Sequence, residues 1–381
     1  MKKASLLISI LILLLFLSGC WDYKEINDVS LTRAITIDWE EETKEYIVCI
    51  QLINLKGMGK GVELNPQIIE GRGKTIVDAL KNIIAITAKS SYWGHLTMII
   101  IGQDIANKGL DDLLDWIARS PEVQLTINIL LSTEKTAKEI LTRGNQIKMV
   151  VMTEYGMIKA FRYISKMPNI TANKVINHVQ RKDLYAVIPT IKIVEMDGES
   201  FTEIAGSAYF KNGKLAGVLS SIDTMKFIFI INEIEGGILT IPTGERNSYV
   251  TLDIFRSSTK TKIDFPEDDI QITVNIKPIV NISEIDGFED YTNKKGRKVL
   301  KEMADSYLEK EIEGFIEEVQ KSPGIDIFNF GNKIKKTHPR VWKKINKDWE
   351  EIFKELKVVV NSDIKIKSSR HISKPIGVDT E

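Results

Sequence analysis

The chain has 381 residues, 43% of them hydrophobic and 27% charged, with 52 Lys and Arg set against 52 Asp and Glu. The composition is that of a globular protein, and the length suits two or three domains. The balanced charge argues against a nucleic-acid partner.

The first elements come at the amino terminus. Met1, Lys2 and Lys3 make a short positive segment, and Leu6 to Leu17 is apolar except for Ser9. That run has the length of a signal-peptide core and falls short of the roughly 20 apolar residues needed to span a bilayer. It closes as Leu17-Ser18-Gly19-Cys20, which resembles the lipobox read by the lipoprotein signal peptidase. The expectation is a signal peptide over residues 1–19, cleavage before Cys20, and covalent diacylglycerol and N-acyl lipid (palmitate) on the Cys20 thiol and amine. A secreted protein with a chance cysteine, or an uncleaved anchor, would not need all three features together. Two acyl chains anchor stably where one binds only marginally. The polar tether, residues 20–28, ends eight residues past the lipid, a reach of at most about 29 Å, so the folded body should sit close to the membrane. With Cys20 lipidated, Cys49 alone remains, so no internal disulfide can form. Cys49 lies in an apolar strand pattern and is expected as a buried core thiol.

Further along, residues 29–39 and 45–55 read as strands joined by a hairpin at 38–44. A Gly-rich loop (Gly57, Gly59, Gly61) and an extended run over 62–70 follow. Thr75 opens a helix with Asp78 three residues on, a capping-box pattern, and Ile76, Leu80, Ile83, Ile84 and Thr87 share its inner face. Residues 96–101 read as a strand, 110–119 as a helix stopped by Pro121, and 123–131 as a strand. Residues 134–163 and 170–182 have mainly helical periodicity broken by Pro168, and 186–195 is extended. The loop Asp197-Gly198-Glu199-Ser200 is the expected domain boundary. Beyond it, 206–210, 215–219, 227–231, 249–256 and 270–282 read as strands, with a tight Asn-Gly turn at 211–214. A long amphipathic helix is expected over 293–320. A second begins at Pro339, with Trp342, Ile345, Trp349, Ile352, Phe353 and Leu356 on one face, and the strand 357–367 closes the fold. The domain reading is therefore an N-terminal region over 29–196, split near 133, a C-terminal α+β domain over 201–368, and a tail over 369–381.

Sites for chemistry are scarce. Gly73-Lys74-Thr75 begins a helix as a phosphate loop would, but Ile68 stands where the first glycine of that motif belongs. His95, His178, His338 and His371 have no metal-ligand spacing among themselves or with cysteine, so no metal site is expected. No Gly-x-Ser-x-Gly elbow is present. Trp342 and Trp349 are seven apart and share a helical face, which reads first as core packing and second as a stacking pair for a ligand. The expectation is a protein with no catalytic residues.

Certain segments, in order along the whole chain, resemble one family. These are Cys20-Trp21-Asp22 with Glu25-Ile26-Asn27-Asp28, then His95 leading into Ile99-Ile100-Ile101-Gly102. Next come Gly206-Ser207-Ala208-Tyr209-Phe210 with Leu215-Ala216-Gly217, and last Asp326-Ile327-Phe328-Asn329-Phe330-Gly331 with Pro339 and Trp342. The chain resembles the Ger(x)C spore germination lipoproteins, the C subunits of nutrient germinant receptors. The resemblance implies a mixed, multi-domain α+β fold of three domains, with mainly antiparallel sheets each packed with helices. It implies attachment to the outer face of the spore inner membrane or cell membrane. Its expected partners are two integral membrane subunits, A and B, and contact with the small-molecule germinant stays open. It also implies structural roles for Asp326, Phe328, Phe330, Gly331 and Trp342, and no cofactor besides the Cys20 lipid. Asn329 departs from the family pattern, where glycine is expected, and should adjust a turn. An extracytoplasmic solute-binding lipoprotein, with two α/β lobes around a cleft, is the alternative.

Overall fold

The computed structural model describes residues 29–53, 67–87, 90–143, 156–181, 185–243, 248–266, 269–286, 289–322 and 324–367. The signal peptide, the lipobox with Cys20, the Gly-rich loop and the C-terminal tail lie outside these residues.

The first half is built on one nine-stranded sheet. Strands β1 (Val29–Glu40) and β2 (Glu45–Ile53) form the expected hairpin, and β3 (Gln67–Gly73) adds to its outer side. Helix α1 (Ile76–Thr87) follows. Its Thr75 hydroxyl accepts the Asp78 amide at 3.1 Å, while the Asp78 carboxylate reaches back to the Lys74 amide at 3.0 Å. The Gly-Lys-Thr run is thus a helix cap. A short β4 (Ser90–Tyr92) lies beside the start of β1. Then β5 (Met98–Ile101), β6 (Asn128–Ser132) and β7 (Ala186–Met196) run parallel to β1, with helices in every connection. These helices are α2 (Gln103–Lys108), α3 (Asp111–Arg119), α4 (Ala137–Arg143), α5 (Gly156–Tyr163) and α6 (Ala172–Gln180). Met-Ile-Ile-Ile and Asn-Ile-Leu-Leu-Ser are buried at every residue, as strands covered on both faces must be. Ile99, Ile101, Ile129 and Leu131 pack under α1, α3 and α6, while Met98, Ile100 and Leu130 pack with Cys49 and α4 on the other face. Cys49 is a buried free thiol, pushed up to about 12 by its burial. The strand expected over 123–131 is confined to Asn128–Ser132, because residues 120–127 are turns.

The sheet does not stop at 197–200. Strand β8 (Glu199–Lys211) pairs antiparallel with β7 along its whole length, and β9 (Lys214–Ser220) pairs with β8. Asp197 and Gly198 have φ of +54° and +80°, the positive values of a two-residue hairpin turn. The Asp-Gly turn thus joins two paired strands of this sheet.

The C-terminal lobe packs against β7 to β9. It opens with helix α7 (Ser221–Ile230), where a strand is expected over 227–231. The Ser220 hydroxyl accepts the Asp223 amide and donates to its carboxylate at 2.6 Å, so this is a capped helix. The run Phe-Ile-Phe-Ile is buried all round, and a short apolar run does not reveal its own period. Two small sheets follow. One orders β10 (Ile238–Pro242), β11 (Tyr249–Arg256), β14 (Ile279–Ile285) and β16 (Lys365–Ile366). The other orders β12 (Thr259–Asp264), β13 (Gln271–Ile276) and β15 (Lys357–Ser362). The strands expected over 270–282 and 357–367 are each cut in two as the chain crosses between these sheets, the first at Pro278, which has no amide to give a ladder. Helix α8 (Lys294–Lys321) matches its expectation and is capped by Asn293, which accepts the Gly296 amide at 2.8 Å. Leu300, Ala304, Leu308, Ile312, Phe315, Ile316 and Val319 form its buried stripe. Helices α9 (Phe330–Thr337), α10 (Pro339–Ile345) and α11 (Trp349–Glu355) complete the lobe. The single helix expected after Pro339 is broken at 346–348. No helix among the described residues is long and apolar enough to cross a membrane.

Candidate functional site

The residues Asp326, Phe328, Phe330, Gly331 and Trp342 converge on one place, the start of α9. Asp326 is 2% exposed. One carboxylate oxygen accepts the Phe330 amide at 3.0 Å, and the other accepts the Gly331 amide at 2.7 Å and the Trp349 indole N–H at 3.1 Å. The first amides of a helix have no partner within it, and a carboxylate there meets both those donors and the positive end of the helix dipole. Burial pushes the Asp326 carboxyl up to about 7, with the amide and indole donors pulling it back down.

Gly331 is the residue that lets the indole in. A Cβ on it would lie 2.6 Å from Trp349 Nε1 and 2.8 Å from the Trp342 ring. The two tryptophan rings meet edge to face with centroids 5.6 Å apart. With its N–H turned inward to Asp326, Trp349 is a packing residue. Phe328 is the hub of the aromatic core, with ring centroids 5.3 Å from Phe330, 5.6 Å from Phe315, 6.3 Å from Phe353 and 6.4 Å from Phe227. It ties α7, α8, α9 and α11 to one centre.

The same loop holds the lobe to the nine-stranded sheet. Asn329 has φ of +59°, a left-handed conformation that asparagine tolerates better than most residues, which is why it can stand where glycine is expected. It does more than glycine could, because its side-chain oxygen accepts the Tyr185 amide at 3.3 Å. The Tyr185 hydroxyl donates to Glu350 at 3.2 Å, and Lys211 at the end of β8 pairs with Glu350 at 2.7 Å. Burial, with Glu350 beside it, raises the Tyr185 phenol. Glu233 makes a second tie, accepting from Lys174 at 2.8 Å and from the Asn169 amide at 2.9 Å. Tyr185 also divides two hollows. A groove of about 600 Å³ is lined by Tyr185, Trp342, Trp349 and Glu350, and a tighter cavity of about 250 Å³ by Tyr185, His178, Phe227, Glu233 and Asn329.

His178 Nδ1 lies 3.1 Å from the Tyr185 carbonyl. Burial lowers its pKa, so the folded chain favours neutral imidazole with Nδ1–H donating. The folded pKa is below the unfolded value near 6.5, so the unfolded chain binds the extra proton first. Stability is full above pH 6.5 and is lost as pH falls through the folded pKa. Asparagine can place an N–H where Nδ1–H sits without titrating. Urea midpoints measured from pH 7.5 to pH 5 are expected to fall more steeply for the parent than for His178→Asn. Parallel curves would assign the acid sensitivity elsewhere.

Sequence reasoning missed a second buried carboxylate of the same kind. Asp38, 6% exposed at the end of β1, accepts the amides of Ala137 at 2.7 Å and Lys138 at 3.1 Å, capping α4. A Cβ on Gly102 would lie 2.2 Å from its oxygen. Each buried carboxylate thus has a glycine at its side. The partners are about 100 residues apart, and only the Ile-Ile-Ile-Gly102 segment gave a signal. Among the described residues no group of three or more His, Cys, Asp or Glu could hold a metal ion. Leu17, Ser18, Gly19 and Cys20 lie outside the described residues.

Comparison with known proteins places these features in context. Residues 22–193 match the family described as spore germination protein N-terminal domain, and residues 205–370 match spore germination B3/GerAC like, C-terminal. The chain is 25% identical to spore germination protein B3 of Bacillus subtilis, covering 96% of this chain and 98% of that one. It is 24% identical to spore germination protein GerQC of Bacillus cereus, covering 94% and 97%. The crystal structure of the GerBC protein superposes with a TM-score of 0.59 at 20% identity, over 90% of this chain and 99% of that one. That likeness carries the fold.

Proposed function

Because the chain belongs to the GerAC-like spore germination proteins, we propose that it is the lipid-anchored C subunit of a nutrient germinant receptor. In this reading it acts without catalysis, as an ectodomain scaffold on the outer face of the spore inner membrane. Its partners there are the integral membrane A and B subunits. The observation that carries the reading is the match of both family models, in order, over nearly the whole chain. The arrangement of polar groups supports it. Asp326, Asp38, Glu350 and Glu233 spend their oxygens on helix amides and on ties between the lobes, which stiffens the body. The C-terminal lobe, two small sheets around one long helix, is unlike the second α/β lobe of a solute-binding lipoprotein. Crosslinking in isolated spore inner membranes, pull-down of this chain and mass spectrometry test the proposal. Recovery of two integral membrane proteins, one of them transporter-like, is expected. Recovery of a transport permease would put the solute-binding alternative first.

A further inference from the structure

From Ile327 to Lys347 the chain has seven Lys and Arg and not one Asp or Glu. Helix α9 turns Phe330 and Ile334 inward and exposes Lys333, Lys335 and Lys336. Helix α10 half-buries Val341, Trp342 and Ile345 and exposes Arg340, Lys343 and Lys344, with the exposed Lys347 one turn on. Arg340, Lys343 and Lys344 follow i, i+3, i+4 on α10 and so share one face, and Lys347 continues the stripe in the turn just after the helix. The neighbouring helices pair several of their cations internally, as in Lys301–Asp305, Lys321–Glu317 and Lys354–Glu351. Among the described residues, none of the four stripe cations has a carboxylate within ion-pair distance. Asp348, Glu350 and Glu351 begin only past the stripe's end, and Glu350 and Glu351 are engaged by Lys211 and Lys354. Like charges stacked on a helix face destabilise it, and an anionic surface would relieve that repulsion.

The stripe is also placed at a particular end of the molecule. Strands β1, β5, β6 and β7 are parallel, so Val29, where the tether enters, lies at the same sheet end as Ala186. Tyr185 and Lys211 sit at that end and hold Asn329 and Glu350, which flank the two basic helices. Three strand spacings separate β1 from β7, about 14 Å. Val29, the first described residue, and the cationic stripe therefore lie on one side of the body. We infer that this side faces the bilayer, and that the stripe on α10, with the lysines of α9, docks on anionic lipid headgroups and sets the orientation of the ectodomain. Clustered Lys and Arg beside a membrane anchor bind such headgroups through their summed charge. The inference takes its setting from the lipid-anchor reading above, but its test does not use the lipid.

The buried cores draw only on residues 34–364, so a chain beginning at Trp21 retains the whole folded unit. This chain is floated with vesicles of phosphatidylcholine alone, or with about a quarter phosphatidylglycerol. Binding is expected only to the anionic vesicles and is expected to disappear in high salt. At about fivefold per charge, Arg340→Gln, Lys343→Gln, Lys344→Gln and Lys347→Gln together should weaken binding by two to three orders of magnitude, with the urea midpoint unchanged. Neutralising the exposed Lys294, Lys295, Lys298 and Lys310 of α8 is the matched control and should leave most of the binding. Equal binding by parent and stripe variant, equal loss in the control, or no binding by the parent each overturns the inference. So does a parent that ignores vesicles while its α10 lysines crosslink to a protein. A failed pull-down with intact vesicle binding would count against the receptor reading alone.

Discussion

Asp326→Ala is expected to cost the folded chain about 3–5 kcal/mol, read as a lower urea midpoint by tryptophan fluorescence. The carboxylate accepts three N–H groups in a site sealed from water. Deleting the acceptor leaves those donors buried and unpaired, at about 1–3 kcal/mol each before relaxation. Water entering the space would recover part of that, which sets the range below the full sum. Asp326→Asn keeps one acceptor oxygen but turns an amide NH₂ toward N–H donors, so it should recover only part of the loss. Because Trp349 donates directly to Asp326, both variants should also change the indole emission of the folded state. A loss under about 1 kcal/mol with unchanged emission would mean that the start of α9 is held by the aromatic cluster around Phe328 and not by this carboxylate.

Much of the fold was legible where local chemistry decides it. The 3.6-residue rhythm of Leu300 to Val319 marked α8 almost to its ends, and Asn212-Gly213 marked a turn that the structure makes with both φ values positive. The Asp326 to Gly331 segment stood out as a unit, and the structure explains its composition as acceptor, aromatic hub, left-handed turn and glycine gap. Other features were illegible because distant residues decide them. Asp197-Gly198 has the chemistry of any tight turn, and only the pairing of β7 with β8 shows that it joins strands. The Phe227 to Ile230 run is buried on every side, so its helical period is hidden. Asp38 fell in the expected hairpin turn and Tyr185 just before an expected strand, so neither stood out. Their partners, Ala137 and Glu350, lie about 100 and 165 positions away.

Cys20→Ala is the variant expected to change behaviour most completely. It should appear as an uncleaved precursor or in the soluble fraction, and spores carrying it should fail to respond to the germinant. Acyl chains contribute about 0.8 kcal/mol per buried methylene, enough for two chains to hold a protein where one holds it only marginally. If the cationic stripe docks as inferred, it adds a weaker, salt-sensitive attraction of about 1 kcal/mol per charge, so the two contributions would be separable. Washing membranes at rising ionic strength should leave the parent in place, because hydrocarbon burial is not screened. The same wash should strip any Cys20→Ala protein that has lost its apolar signal segment and remains bound, because screening shortens the reach of surface charge to a few ångströms. If the variant is processed and retained like the parent at every salt concentration, lipid on Cys20 is not what holds this chain. The body would then have to be kept at the membrane by protein partners.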